Sequence, residues 1–445
     1  MTNSGAEASD PGYARHVLSM EVRDTIKLCV ASHHFFPTHG GATLRFVRYL
    51  PGFRERGIDV EIVAGTPKGR KLLSSDMKQP WYTRPVGEFL PIEFIQGMPV
   101  HRVRLPEVAG WQRSSIFNRA VVQVCRQPGH RPEVIQILSS LRPRSIPWLI
   151  RLKRLGISVA YAYTLATELP SDGILKRVRK GWGLRLLYNQ LDSIVVNSRV
   201  LRDLLLDLGL KTQIEVIPNG VDLQRFRAIS NREERRALRS VLGMDDSHKV
   251  ITAVGSVVPR KGSDFLLEAW SRFAYRVPEA HLYFVGPVFD ANHPDLGDFQ
   301  RRIEGLVAAS GASDRVHFVG FIENVEEYLR ASDVFVFPSM REGLPNVVLE
   351  AMASGLPVVV TPFFGQSEDL GEPGQQYLLV ERNPEALARV IAEIFEEDGL
   401  RVTLGQRARR WVEANMDVER SLDRYAAFYH GLAKKARGRR GRERN

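Results

Sequence analysis

A chain of 445 residues exceeds what one hydrophobic core usually supports, which predicts two domains of roughly 200 residues each. Hydrophobic residues at 44% and charged residues at 25% exclude global disorder, and no apolar run approaches the roughly 20 residues that span a bilayer. A net charge of +11 admits polyanionic partners, but no RNA- or DNA-binding module and no aromatic-interleaved basic strand accompanies it, so nucleic acid is not expected.

Residues 1–24 are polar and acid-containing and have no apolar stretch of signal-peptide type; they read as a flexible leader. Ile26 to Ala31 reads as a short buried strand, followed by a loop containing Gly40-Gly41 and a helix through Thr43 to Leu50. Val60 to Ala64 is the next strand, and the segment Lys68 to Pro91 reads as a long exposed loop. Further strands are expected at Val134 to Leu138, Ser158 to Tyr163, Ser193 to Val196 and Ile214 to Ile217. The turn-rich Pro218-Asn219-Gly220-Val221-Asp222 reads as the seam between domains. A charged helix over Asn231 to Leu242 then leads into a second series: strand Val250 to Val254, helix Ser263 to Phe273, and strands at His281–Val285, Val316–Val319, Val334–Phe337 and Pro357–Val360. Such alternation of short apolar strands and helices predicts an α/β fold of two doubly wound, parallel-sheet domains. The two cysteines, Cys29 and Cys125, make neither a disulfide framework nor a zinc knuckle, and Cys29 reads as a small buried thiol in a cytoplasmic protein.

Three loops carry chemistry. Gly40 and Gly41 join the first strand to the first helix, where two glycines let backbone approach a ligand and a helix start offers free N–H groups to a diphosphate. Gly255-Ser256-Val257-Val258-Pro259-Arg260-Lys261-Gly262 follows a strand and precedes a helix, so Arg260 and Lys261 emerge at the carboxyl edge of the sheet and can neutralise a departing diphosphate. The third loop runs Glu342-Gly343-Leu344-Pro345-Asn346 and continues into a helix carrying Glu350 among Val347, Val348, Ala351 and Met352. A carboxylate among such neighbours needs strong hydrogen bonds, which pairs of sugar hydroxyls supply.

The Glu342-to-Glu350 spacing with Gly-Leu-Pro between the acids, continuing through Ala351-Met352-Ala353-Ser354-Gly355 to Val359, resembles the E-x7-E block of retaining GT-B glycosyltransferases. Four other stretches resemble family four of that group, the glycosyl transferases group 1, and occur in family order: Gly40-Gly41, Pro218 to Asp222 with Phe226, Arg260-Lys261-Gly262, and Ala331 to Ser339. The resemblance covers the chain from about Ile26 to Tyr429. It implies a GT-B fold of two Rossmann-like domains facing across a cleft: residues 25–222 as the acceptor domain, 223–416 as the nucleotide-sugar domain, 417–432 as a helix crossing back, and 433–445 as a basic disordered tail.

It also implies roles. Gly40 and Gly41 would sit near diphosphate and acceptor, Arg260 and Lys261 would grip the leaving diphosphate, and Glu342 would orient donor-sugar hydroxyls. Glu350 would hold the ribose, Gly320 and Phe321 would lie beside the base, and Ser256, Gly343, Leu344, Pro345 and Asn346 would complete the donor site. No metal and no cofactor is implied; the donor would be a uridine diphosphate sugar first and a guanosine diphosphate sugar second, the acceptor a saccharide or lipid-linked hydroxyl in polysaccharide, glycolipid or lipid-linked oligosaccharide synthesis. The chain departs from the pattern twice. Ser256 stands where many members carry Arg, and Tyr163-Thr164-Leu165-Ala166-Thr167-Glu168 lacks the first-domain His, for which His33, His34 and His39 are candidate substitutes. Residues 176–188 mix five cations with Trp182, Leu184, Leu186, Leu187 and Tyr188, which suits an anionic membrane surface as well as an ordinary amphipathic helix. The readings from other classes are a nucleotide-sugar epimerase or phosphorylase, and a non-catalytic nucleotide-sugar binder.

Overall fold

The computed structural model describes residues 25–35, 41–66, 85–90, 92–106, 111–164 and 174–442. The first elements in chain order are β1 (Ile26–Ser32), α1 (Gly41–Glu55), β2 (Ile58–Gly65), β3 (Glu93–Ile95), β4 (Met98–Val103), α2 (Trp111–Arg126), β5 (Val134–Ile137) and α3 (Ile146–Arg154). They continue with β6 (Ser158–Tyr163), α4 (Ile174–Tyr188), β7 (Ser193–Val196), α5 (Arg199–Leu206) and β8 (Gln213–Val216). These strands pair in the order β3-β4-β2-β1-β5-β6-β7-β8. The pairs β2–β4, β1–β2, β1–β5, β6–β7 and β7–β8 are parallel, and the β3–β4 hairpin is antiparallel, its turn placing Gln96 and Gly97 at φ 49° and 76°.

The second sheet follows α6 (Arg232–Val241) and contains β9 (Lys249–Val254), β10 (Ala280–Val285), β11 (Val316–Gly320), β12 (Val334–Phe337), β13 (Val358–Val360) and β14 (Leu378–Leu379). Its helices are α7 (Ser263–Phe273), α8 (Gly297–Ala309), α9 (Val325–Ala331), α10 (Asn346–Ala353), α11 (Pro384–Glu396) and α12 (Asp398–Asn415), and α13 (Val418–Arg442) ends the described chain. All pairs are parallel, in the order β11-β10-β9-β12-β13-β14. Numbered from β9, that order is 3-2-1-4-5-6, and it reverses between β9 and β12. Along β12 and β13, Val334, Val336 and Val359 join a core with α7, α8 and α11, while Phe335, Phe337, Val358 and Val360 join another with α10 and α12. Alternating side chains buried on both faces are what a doubly wound parallel sheet requires.

Packing separates two compact units, one of residues 25–140, 147–159 and 426–442, the other of 141–146 and 160–425. In the first, α1 runs on through Pro51 to Glu55, beyond the expected end near Leu50, because Phe53 is fully buried with Tyr429 edge-on against its ring. The stretch from 433 expected as a disordered tail is instead helical to Arg442. Ala433 and Ala436 are buried, and the guanidinium of Arg440 donates to the carbonyl of Gly156 at 3.0 Å, so apolar spacing and carbonyl partners fix a segment whose net charge suggested none. In the second unit, Gly220 answers a close approach: a Cβ there would lie 2.4 Å from the Cα of Val418, and Val221 exchanges backbone hydrogen bonds with Met416 and Val418. Among the described residues no helix is long and apolar enough to cross a membrane.

Candidate active site

The reversal between β9 and β12 opens a crevice at the carboxyl ends of those strands, where open α/β sheets bind ligands. After β9 the chain passes Gly255 (φ 144°), makes a 3-10 turn over Pro259–Lys261, and enters α7 through Gly262 (φ 71°). No side chain fits at Gly262, where a Cβ would meet the Pro338 carbonyl oxygen at 2.2 Å. The turn is thereby pressed against the end of β12. A small pocket there is lined by Gly255, Lys261, Ser263, Phe337 and Pro338.

The two loops meet through charge. Arg260 Nη1 donates to Glu342 Oε1 at 2.5 Å and to the Arg341 carbonyl at 3.0 Å, and Lys261 Nζ lies 2.7 Å from the same Oε1. The Ser339 hydroxyl is 2.9 Å from that oxygen and 3.2 Å from the Arg260 carbonyl, which also accepts from the Met340 amide. Among the described residues the polar partners of this carboxylate all meet Oε1, which leaves Oε2 for a further donor. Burial raises the Glu342 pKa, but Lys261 and Arg260 outweigh it and hold the carboxyl below its ordinary value. The carboxylate is therefore ionised at neutral pH, and the cluster of two cations and one anion carries a net charge of +1.

Glu342 is fixed from behind by its backbone N–H, which donates to the Phe364 carbonyl at 3.0 Å, and by Gly365 (φ 99°), where a Cβ would come within 1.8 Å of the Glu342 carbonyl oxygen. Gly343 is equally crowded, since a Cβ would lie 2.2 Å from the Thr164 carbonyl oxygen and 3.1 Å from Asn197 Oδ1. Leu344 is buried, its carbonyl accepting from Asn219 Nδ2 at 2.9 Å, and Pro345 leads into α10 with no side-chain cap. The intrahelical ladder begins at Val348, whose amide reaches the Pro345 carbonyl at 3.2 Å, so the helix start at Asn346 and Val347 offers amide donors and the positive dipole end. Glu350 lies one turn on, 7% exposed among the apolar neighbours Val348, Leu349, Ala351 and Met352.

At the other rim, Gly286 follows β10 and has room for no Cβ, the Gly255 carbonyl oxygen being 2.4 Å away. Gly320 ends β11 with open space on its Cβ side, and Phe321 beside it is 43% exposed. Ser256 is half-buried at the turn. The second unit thus brings together Ser256, Arg260, Lys261, Glu342, Gly343, Leu344, Pro345 and Asn346 around the β9–β12 reversal, with Gly320 and Phe321 on strand β11 of the same sheet edge. Gly41 begins α1, while Gly40, His39 and residues 165–168 lie outside the described residues. His33 is half-buried against Phe117, ring centroids 4.3 Å apart, and desolvation, aided by His34 and Arg113, pulls its pKa down to about 3. At that value it is a neutral packing residue and a poor proton acceptor. In the basic stretch, Leu184, Leu187 and Tyr188 are buried, while Trp182 and Leu186 are exposed at 67% and 45%.

Sequence reasoning missed several members. Ser339 was visible only as the end of a Phe-Pro-Ser strand terminus, and Gly365 as one glycine among many. Asn197 and Asn219 are buried, and each keeps an Oδ1 without a hydrogen-bond partner. Buried carbonyl oxygens of this kind are ready acceptors for a water or a ligand hydroxyl.

Two family models match the chain, one for "Glycosyl transferases group 1" over residues 234–411 and one for a "Glycosyl transferase 4-like domain" over 40–220. Among similar proteins, a lipopolysaccharide core biosynthesis glycosyltransferase, LpsE, of Rhizobium meliloti is 29% identical over 289 residues, 64% of this chain and 78% of the relative. A D-inositol 3-phosphate glycosyltransferase of Salinispora arenicola is 26% identical over 362 residues, 77% of this chain and 80% of the relative. Among solved structures, a sucrose-phosphate synthase of Thermosynechococcus elongatus superposes with a TM-score of 0.72 at 22% identity, covering 92% of this chain and 99% of that one. HepE of Anabaena in complex with UDP gives 0.68 at 19% identity, covering 92% and 100%.

Proposed function

The chain belongs to the glycosyl transferases group 1 and has their GT-B fold of two Rossmann-like domains, and from that premise we propose that it is a retaining hexosyltransferase using a nucleotide-diphosphate sugar. The observation that carries the reading is the Arg260–Lys261–Glu342 cluster at the reversal of the second sheet. In this reading the nucleotide lies along the β9–β11 edge, with Gly320 and Phe321 against the base and Glu350 on the ribose hydroxyls. Arg260 and Lys261, with the amides at the start of α10, receive the diphosphate. Glu342 turns its free oxygen to hydroxyls of the donor hexose and orients the sugar without forming a bond to it.

As the anomeric C–O bond breaks, the electron pair goes to the β-phosphate oxygen, where the two cations stabilise the developing charge. The acceptor hydroxyl attacks the oxocarbenium-like carbon from the same face and gives its proton to that phosphate oxygen. Configuration is retained, and the cationic side chains do the work that a divalent ion does elsewhere. The names of the similar proteins favour a lipopolysaccharide or phosphorylated-polyol acceptor, and a uridine diphosphate donor is placed before a guanosine diphosphate donor. In this scheme residues 25–222, which carry the eight-stranded sheet, serve as acceptor domain and 223–416, which carry the six-stranded sheet, as donor domain; by packing, 141–146 and 160–222 group instead with the second unit. Helix α4, with Trp182 and Leu186 exposed, would meet the membrane carrying a lipid-linked acceptor from the cytoplasmic side.

The test is donor binding and slow donor hydrolysis over a panel of nucleotide sugars, with chelator present, for wild type and Glu342→Ala. One donor bound and hydrolysed without added metal, with hydrolysis lost in the variant, is the expected result. Binding of no nucleotide sugar would overturn the reading.

A further inference from the structure

In the first unit, Glu61 on β2, His101 on β4 and His130 in the α2–β5 connection converge on one point. Strands β2 and β4 are parallel neighbours in a register that places Val63 opposite His101, and Glu61, two residues before Val63, shares that face of the sheet. His130 lies midway along the α2–β5 connection, at the end of a turn closed by its own amide on the Gln127 carbonyl. His130 Nδ1 is 3.0 Å and His101 Nε2 3.5 Å from Glu61 Oε2, and one ligand atom from each of the three residues lies within 4.8 Å of the other two. The two imidazole rings stand at 90°, centroids 5.4 Å apart, so that both can present a nitrogen to a common centre.

The second observation is one of unmet need. His101 is only 5% exposed, and its Nε2 has no hydrogen-bond partner; Glu61 Oε1 is likewise buried and without one. A buried acceptor left unpaired is costly, and two of them side by side are satisfied together by one cation. Tetrahedral coordination at about 2.05 Å separates ligand atoms by roughly 3.3 Å, within the spread found here. Two imidazoles and one carboxylate are a donor set for zinc and its late first-row neighbours, not for calcium or magnesium.

We propose that Glu61, His101 and His130 form a binding site for one zinc-class divalent ion that clamps β2, β4 and the α2–β5 connection of the first unit. The imidazole of His130, 39% exposed, opens the site to solvent and leaves room for water as the fourth ligand. None of the three residues belongs to the donor site, and the metal takes no part in the proposed sugar transfer.

The probe is zinc or cobalt alone, titrated into the untagged, metal-stripped full chain by calorimetry, with the cobalt form followed by its visible d–d absorption and unfolding followed by thermal melting. One equivalent should bind, give a tetrahedral cobalt spectrum and raise the melting temperature. Removing a ligand should weaken binding at least as much as loss of a supporting contact does, by roughly a hundredfold. His130→Ala, altered at a part-exposed position, tests this without disturbing the core, and Glu61→Gln tests it with shape preserved. If wild type binds less than one equivalent, or if neither variant weakens binding, the trio is a hydrogen-bonded cluster and the proposal fails. Metal binding is read without donor or turnover, so its outcome is independent of the transferase reading.

Discussion

Lys261→Ala probes the charge arrangement most directly. Lys261 Nζ sits 2.7 Å from Glu342 Oε1 and 5.7 Å from the Phe337 ring centroid, with its side chain 19% exposed. At that separation an effective dielectric constant of about 20 gives roughly 6 kcal/mol of gross attraction. Most of this does not appear as stability, because Arg260 remains on the same oxygen and the lysine was itself desolvated to reach it. A net loss of about 1–2 kcal/mol in urea unfolding is expected. The larger effect falls on the diphosphate: a charge-assisted hydrogen bond contributes about 1.5–3 kcal/mol, so nucleoside-diphosphate affinity should fall roughly tenfold to a hundredfold. Turnover should fall by roughly 100- to 1000-fold, as when a preorganised donor to a developing oxyanion is removed. The assay pairs calorimetric binding of the nucleoside diphosphate with binding of the corresponding nucleoside, which lacks the charge. The reasoning is refuted if both ligands weaken equally, or if diphosphate binding and turnover stay within threefold of wild type.

Three other outcomes follow from the same geometry. Gly365→Ala sets a Cβ 1.8 Å from the Glu342 carbonyl oxygen at φ 99°, so donor hydrolysis should fall at least tenfold alongside a stability loss of roughly 1–3 kcal/mol, both measured on the purified variant. Asp333→Ala removes the partner of Arg239, whose guanidinium is 1% exposed and whose pKa burial already lowers; it also strips Arg235, Arg401 and the Val250 amide of an acceptor. Urea unfolding should show a loss of roughly 3–5 kcal/mol. His281 stacks between His248 and His317, and burial, with repulsion from His248, His317 and Arg315, lowers its pKa to about 4; burial lowers those of His248 and His317 as well. The unfolded chain then binds protons near pH 6.5 that the folded chain refuses until about pH 4, so stability is lost as pH falls through that window. Between pH 7.5 and 5 this histidine should account for about 1 kcal/mol after discounting for its partial exposure, and His281→Leu should flatten the dependence of the urea midpoint on pH.

Much of the scaffold was legible because parallel strands buried on both faces leave runs that few other structures tolerate. Val250 to Val254, Val334 to Phe337 and Ser158 to Tyr163 were read within a residue of their observed bounds. The short hairpin β3–β4 and helices α2, α3, α5, α8, α9, α11 and α12 carry no expectation from the sequence. In α2, Arg113 is buried in a position that apolar spacing would assign to an aliphatic side chain, its guanidinium donating to the carbonyls of Pro106 and Thr66. The end of α13 departs from the solvated tail that a run of cations predicts, because Arg440 finds the carbonyls of Gly156 and Pro132.

By itself the sequence determined the class of fold, the alternation of its main strands with helices and which loops carry glycine, cation and carboxylate, since each follows from local periodicity or from residues adjacent in the chain. Only the tertiary structure decided that Arg260 and Lys261 meet one oxygen of Glu342, 82 and 81 residues onward, and that Ser339, Gly365 and Asn219 support the loop that bears it. The same holds for Glu61, His101 and His130, which no spacing in the chain connects. The physical reason is that strand order and register bring distant segments together, and short-range patterns contain neither.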